Sequence, residues 1–138
     1  MIDVAPVQVA RCRRKLREYP WASVRRGDTR KPGGDYDTVC CYFLIHELPD
    51  AEKRAVANAL LDSVRPGGKA VFVDYHKPHW AHPLKGLMAL VFAKLEPFAS
   101  SLWRNDIRDF ADRPGRFQLE TETFFGGMYQ KTVARRSA

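Results

Sequence analysis

His46 and Glu47 stand side by side immediately after the apolar run Thr38 to Ile45. A histidine titrates near neutral pH, which makes His46 the side chain in this sequence best suited to proton transfer. Glu47 beside it could orient a ligand or bind a metal. The arrangement recurs: the run Ala70-Val71-Phe72-Val73 stops at Asp74, Tyr75 and His76. Asp3 and Asp28 follow two further short stretches that read as strand ends. A carboxylate at the end of the second strand of an open α/β sheet can accept two hydrogen bonds, which suits a ribose diol. One strand over, a carboxylate such as Asp28 suits an adenine amino group. The plainer alternatives are that each aspartate forms a turn or cap, and that His46 is a helix-entry histidine bonded to backbone. His76, His79 and His82 are too loosely spaced to form a metal motif alone, but with Glu47 they offer ligands for Mn²⁺ or Mg²⁺. The metal-ligand set stays unknown on this reading. Cys12, Cys40 and Cys41 lack metal-site spacing and read as small packing residues.

These side chains need elements to hold them. A continuous apolar run bounded by Gly33-Gly34 and Pro49 predicts a strand buried on both faces. Ligands of open α/β sheets gather at the carboxyl ends of such strands. Asp50 then caps a helix with Val56, Ala57, Leu60, Leu61 and Val64 on one face, closed by Arg65-Pro66-Gly67-Gly68. Lys69 to Tyr75 is the next buried strand. Upstream, Pro6 suits a first helical position, Val9, Cys12, Leu16 and Tyr19 share a helix face, and Trp21 to Arg25 reads as a short strand. Alternating helices and strands predict right-handed parallel crossovers, which would bring the four polar strand ends to one sheet edge. Leu84 to Phe98 predicts a helix that is apolar on most sides, broken at Pro97. It reads equally as a core helix and as the wall of an apolar pocket or a lipid-facing surface. Asn105 to Ala111 predicts a short surface helix. Phe124 to Tyr129 predicts a tight turn between two antiparallel strands, with Gly126-Gly127 supplying positive φ.

At 138 residues the chain is one domain's worth. Its formal net charge is +7, which favours anionic partners. Arg11, Arg13, Arg14, Lys15 and Arg17 cluster, as do Arg25, Arg26, Arg30 and Lys31. No nucleic-acid-binding signature accompanies them, and a solvated face is the simplest account. Three cysteines without a signal peptide fit a reducing cytosol.

Tyr36 to Asp50, followed by Val64-Arg-Pro-Gly-Gly-Lys-Ala-Val-Phe-Val-Asp-Tyr75, resembles the fourth- and fifth-strand motifs of class I S-adenosylmethionine-dependent methyltransferases. The resemblance implies a Rossmann-like α/β methyltransferase fold: a mostly parallel sheet with helices on both faces and an antiparallel hairpin at the end. It implies S-adenosylmethionine as cofactor, held by Asp3 with Val4 at the ribose, Asp28 with Thr29 at the adenine, and Cys41, Tyr42 and Phe43 beside the adenine or methionine. The catalytic candidates, His46 with Glu47 and Tyr75 with His76, come from their place at the ends of two neighbouring strands rather than from the resemblance. The run His82 to Trp103 and the end Phe124 to Lys131 resemble the bacterial rhodoquinone biosynthesis proteins, a branch of methyltransferase relatives. That likeness implies conversion of ubiquinone to rhodoquinone. A ring methoxy group is replaced by an amino group there, with S-adenosylmethionine as amino donor and Mn²⁺ assisting. The apolar run Leu84 to Phe98 suits such a lipophilic quinone, and the basic surface suits a cytoplasmic protein in peripheral contact with an anionic inner membrane. The alternatives are an O- or C-methyltransferase of a lipophilic acceptor, with His46 or His76 as base, and a non-catalytic methyltransferase-like module. In this superfamily a first strand and a glycine-rich loop precede the acid that Asp3 matches, and here only Met1 and Ile2 do. Residues 1–138 are therefore expected to form a single, incomplete, N-terminally truncated domain.

Overall fold

Proline at the first helical position costs no hydrogen bond, and Pro6 opens the first helix. The structure, a computed structural model, describes residues 1–138, the side chain of Pro114 excepted. In chain order the elements are β1 (Ile2–Asp3), α1 (Pro6–Lys15), β2 (Arg25–Arg26), β3 (Tyr36–Tyr42), α2 (Asp50–Asp62), β4 (Val64–Tyr75), α3 (Lys85–Lys94), β5 (Phe117–Phe124) and β6 (Tyr129–Arg136). Turns of 3-10 helix at Ile45–Glu47, Ala99–Trp103 and Ile107–Phe110 link them.

The strands form two sheets. β1 pairs with β2 in parallel. The larger sheet has the order β3-β4-β6-β5, with β3 parallel to β4 and the β5–β6 hairpin antiparallel beside β4. The expected parallel pair followed by an antiparallel hairpin is thus present. Among the described residues β1 pairs with β2 and β3 with β4, so the strand ends at Asp3 and Asp28 belong to a sheet separate from those at His46 and Tyr75.

Side chains alternate across a strand, and the larger sheet buries one face. Ala70, Phe72 and Asp74 of β4 are buried, while Val71, Val73 and Tyr75 between them are half-exposed. On the buried face the α2 stripe Val56, Ala57, Leu60 and Leu61 packs against Cys41, Phe72 and Ala134. Each such leucine is worth roughly 1.5–3 kcal/mol when fully buried. A second cluster of Met88, Phe92, Ala99 and Met128 seats α3 beside Tyr75, Trp103 and Tyr129.

Several expectations are corrected. β3 is not buried on both faces: Tyr36, Asp37, Thr38, Cys40 and Tyr42 are exposed, because it is the edge strand of its sheet. Asp50 does not cap α2. Pro49 holds the cap position, and Asp50 accepts from Lys53 instead. The strand expected at Trp21 to Arg25 is only Arg25–Arg26. α1 ends at Lys15, before Pro20, and α3 ends at Lys94, before Pro97. The short helix near Asn105 is the 3-10 turn Ile107–Phe110. It is not a surface element, since Ile107 and Phe110 are buried in the core.

Glycines follow from geometry at two turns. Tyr36 pairs with Val64 and Thr38 with Lys69, so Arg65 to Gly68 bulges out, and Gly67 takes φ of 76° there. The hairpin turn needs Phe125, Gly126 and Gly127 all at positive φ, a conformation that favours glycine. No helix among the described residues is long and apolar enough to cross a membrane.

Candidate active site

β3 and β4 are parallel neighbours, with Tyr42 opposite Val73, so both chains leave the sheet at the same edge. After Tyr42 the backbone turns through Phe43 at φ 49°. Positive φ in a bulky non-glycine residue costs energy and persists only where the surroundings enforce it. The turn leads into the 3-10 segment Ile45–Glu47 and aims its first amides at Asp74. Asp74 is 1% exposed. Its Oδ2 accepts from the backbone N–H groups of Ile45 at 2.9 Å and His46 at 3.2 Å. Its Oδ1 accepts from Tyr75 N–H and from His46 Nδ1, both at 2.8 Å. A carboxylate oxygen that accepts from Nδ1 fixes the imidazole proton there. Nε2 is then the basic nitrogen, and it makes no hydrogen bond among the described residues.

His46 is itself buried. Burial works against its charged form, but the hydrogen bond and charge of Asp74 outweigh it, helped by Glu96 and Glu47, and its pKa lies above the usual 6.5. Tyr75 lies on the imidazole, with ring centroids 4.6 Å apart. Burial, then the Glu96 carboxylate, push the Tyr75 phenol up to about 12. It therefore stays protonated and able to donate at neutral pH. Phe43 closes the group, 6.1 Å from Tyr75 and 5.7 Å from Tyr129, edge-on to both. Tyr129 stacks on Tyr75, and Phe92 of α3 packs on the other part of the Tyr75 ring at 5.1 Å.

Of the other expected catalytic residues, Glu47 is exposed. His76 is occupied: its Nδ1 lies 2.9 Å from the Gly127 carbonyl and its Nε2 3.7 Å from Asp106. Among the expected cofactor residues, Asp3 ends β1, and its Oδ1 accepts from Ala5 N–H. Val4 is 60% exposed. Asp28 is held by Arg30, which donates to both carboxylate oxygens through its side chain and to one through its backbone. That pairing lowers the Asp28 pKa. Thr29 follows in the same half-buried loop. Tyr42 and Phe43 are exposed at the sheet edge. Cys41 departs from its expected role: it faces the core, and burial pushes its thiol up to about 12.

Two site residues escaped the sequence. Asp74 reads in the sequence only as one of several polar groups ending β4, and Glu96 lies inside the apolar run Leu84 to Phe98. An acid that directly ends a strand of buried alternation was the available signal for Asp74. Among the described residues no group of three His, Cys, Asp or Glu side chains is arranged to hold a metal ion. The expected Mn²⁺ therefore finds no ligand set among them. A surface depression of about 340 Å³, lined by residues including Asp50, Arg54 and Asp109, shares no residue with the His46 cluster.

No family model matches the chain. A phosphatidylethanolamine N-methyltransferase of Cereibacter sphaeroides is 32% identical over 112 residues, which are 76% of this chain and 52% of that protein. An uncharacterized methyltransferase of Synechocystis is 23% identical over 137 residues, which are 97% of this chain and 63% of that protein. The chain thus spans between about half and two thirds of the length of these curated relatives. Among solved structures, magnesium protoporphyrin IX methyltransferase of Synechocystis PCC 6803 with bound SAH matches 99% of this chain and 63% of its own. The TM-score is 0.63 at 18% identity. The chain has the Rossmann-like fold of the class I methyltransferases.

Proposed function

We propose that this chain carries the acceptor side of a S-adenosylmethionine-dependent methyltransferase, with His46 as general base. The observation that carries the reading is the buried Asp74, which pins the proton on His46 Nδ1 and leaves Nε2 basic beside Tyr75. The two curated relatives, both named as methyltransferases, support it.

The donor set offers the cofactor partial recognition. Asp3 has a second carboxylate oxygen, Oδ2, without a hydrogen bond among the described residues, which suits a ribose hydroxyl. The exposed Tyr42 and Phe43 rings suit an adenine face. Asp28 would have to give up part of its Arg30 pairing to accept an adenine amino group. When bound, S-adenosylmethionine supplies a methyl group whose carbon–sulfur bond breaks with the electron pair staying on sulfur. His46 Nε2 takes the proton from the attacking O–H or N–H of the acceptor. Asp74 keeps its bond to Nδ1–H and stabilises the imidazolium that forms. The protonated Tyr75 phenol donates a hydrogen bond that orients the acceptor. The Tyr129 ring, half-buried and stacked on Tyr75, shields that side of the site from water.

The acceptor is read as lipophilic, because α3 seats its apolar side chains against Tyr75. The narrower reading is the exchange of a methoxy for an amino group on ubiquinone, which rests on the resemblance of His82 to Trp103. The domain is read as one incomplete unit, because no strand joins β1 to β3. Incubation with methyl-labelled S-adenosylmethionine and ubiquinone or other lipophilic O–H and N–H acceptors tests the function. Label in the product is expected, falling about 10²–10⁴-fold in His46→Ala if His46 is the base. An aminated, unlabelled quinone would instead favour the narrower reading. Labelling that His46→Ala leaves unchanged would remove His46 from the chemistry.

A further inference from the structure

We propose that α3 and the loop before it form a docking face for an anionic lipid bilayer. The inference goes beyond methyl transfer and stands on this surface alone. A helix that is apolar all round is normally buried all round. α3 buries only Met88 and Phe92. Leu84, Leu87 and Leu90 are 46%, 58% and 57% exposed, and Leu95 just beyond the helix is 77% exposed. Trp80 at 79% and Phe125 at 76% extend the patch. The loop and the hairpin turn that carry them are tied together: His79 N–H donates to Gly126 O at 2.9 Å, and the His82 ring lies over Gly126. Scattered exposed leucines need no explanation, but a contiguous patch of this kind marks an interaction site.

Charge selects the occupant. From Lys77 to Leu95 the sequence has Lys77, Lys85 and Lys94 and no aspartate or glutamate. Glu96, the first acid after it, buries its Oε2. Lys77 and Lys94 are exposed, while Lys85 shares the packed stripe of Met88 and Phe92. Exposed lysines on the loop and helix that carry the leucines, with a tryptophan beside them, match the interface of a bilayer with acidic headgroups. A second copy of the chain is a poorer fit, since it would bring the exposed Lys77 and Lys94 against their equals on a molecule of net charge +7. The ten residues of α3 extend only about 15 Å, half the thickness of a hydrocarbon core, so the helix lies in the interface. Its buried stripe places Phe92 on Tyr75, which sets the His46 cluster directly behind the lipid-facing side.

Co-sedimentation with vesicles of phosphatidylcholine alone, and of phosphatidylcholine mixed with phosphatidylglycerol, tests this without any reaction. The wild-type chain is expected to bind the phosphatidylglycerol vesicles and to release at high salt. Leu87→Glu with Leu90→Glu should weaken binding by about tenfold or more, with the circular dichroism spectrum unchanged because both side chains are exposed. Lys77→Gln with Lys94→Gln, both exposed, should weaken it by about fivefold per lysine and remove the lipid preference. Absence of wild-type binding, or binding that both double variants retain, overturns the proposal. A dimer in light scattering that Leu87→Glu with Leu90→Glu dissociates would assign the face to a second copy and equally overturn it.

Discussion

Asp74 gathers four N–H donors around one buried carboxylate, and its effect on His46 can be read without turnover. Burial lowers the His46 pKa, while the Asp74 bond and charge raise it by more. Asp74→Asn keeps the shape and removes the charge. The His46 midpoint, followed by NMR of its ring protons, is therefore expected to fall towards or below 6.5, and an unchanged midpoint would show that Asp74 does not set it. The sign for stability follows from the raised value. The contribution is fully present below the unfolded-state pKa and is lost as pH rises through the higher folded-state pKa. For activity the sign is opposite: the neutral base prevails above the folded pKa, so the rate should climb with pH through an inflection above 6.5. His46 was legible as the proton-transfer candidate because histidine chemistry is intrinsic to the side chain. Asp74 was not legible as its partner, because that pairing joins residues 28 positions apart and arises only when β3 and β4 align in parallel.

The element that most depends on one side chain is α2. Lys53 is 0% exposed. Its ammonium donates to Asp50 Oδ1 at 3.0 Å, to the Phe98 carbonyl and to Ser101 Oγ, tying the helix to the 3-10 turn at Ala99–Trp103. Lys53→Met keeps the aliphatic stem but leaves the Phe98 and Ser101 oxygens without that donor. A loss of about 1–3 kcal/mol is expected in urea unfolding, from unsatisfied buried acceptors. A wild-type midpoint would mean that water replaces the ammonium. The α2 stripe was legible from periodicity, since Val56, Ala57, Leu60 and Leu61 repeat at helical spacing and all are buried. Lys53 lies three and four residues before Val56 and Ala57, on that same stripe. Periodicity assigns a lysine there to solvent, however, and only the acceptors from the following turn reverse the assignment. The hairpin was legible for the opposite reason: Phe125 to Gly127 determine their turn locally, through positive φ.

At the scale of the molecule, the sheet is divided where a cofactor would have to be shared. Asp3 lies on the β1–β2 pair, whereas Phe43 and His46 follow β3 in the four-stranded sheet. The parallel order of β3 and β4 was legible from two buried runs separated by one helix. The division was legible only through the resemblance, whose missing first strand would lie between the strands ending at Asp3 and at His46 and leaves either a gap or direct pairing. Residue patterns alone do not choose, because strand adjacency depends on backbone partners distant in sequence. Without shared pairing, the ion pair of Arg30 with Glu52 at 2.9 Å is one of the ties between the loop after β2 and α2. Both of its side chains are substantially exposed, so it is worth little in water. A ligand that must touch both halves would have to fix their relative position on binding, and that ordering subtracts directly from affinity. The 138-residue chain is therefore expected to bind S-adenosylmethionine with a dissociation constant weaker than about 1 μM, which corresponds to roughly −8 kcal/mol. Isothermal calorimetry on the chain alone measures this. Binding tighter than that would mean that Asp3 and Phe43 already stand in a fixed relation across the two sheets, and would overturn the reading of the domain as incomplete.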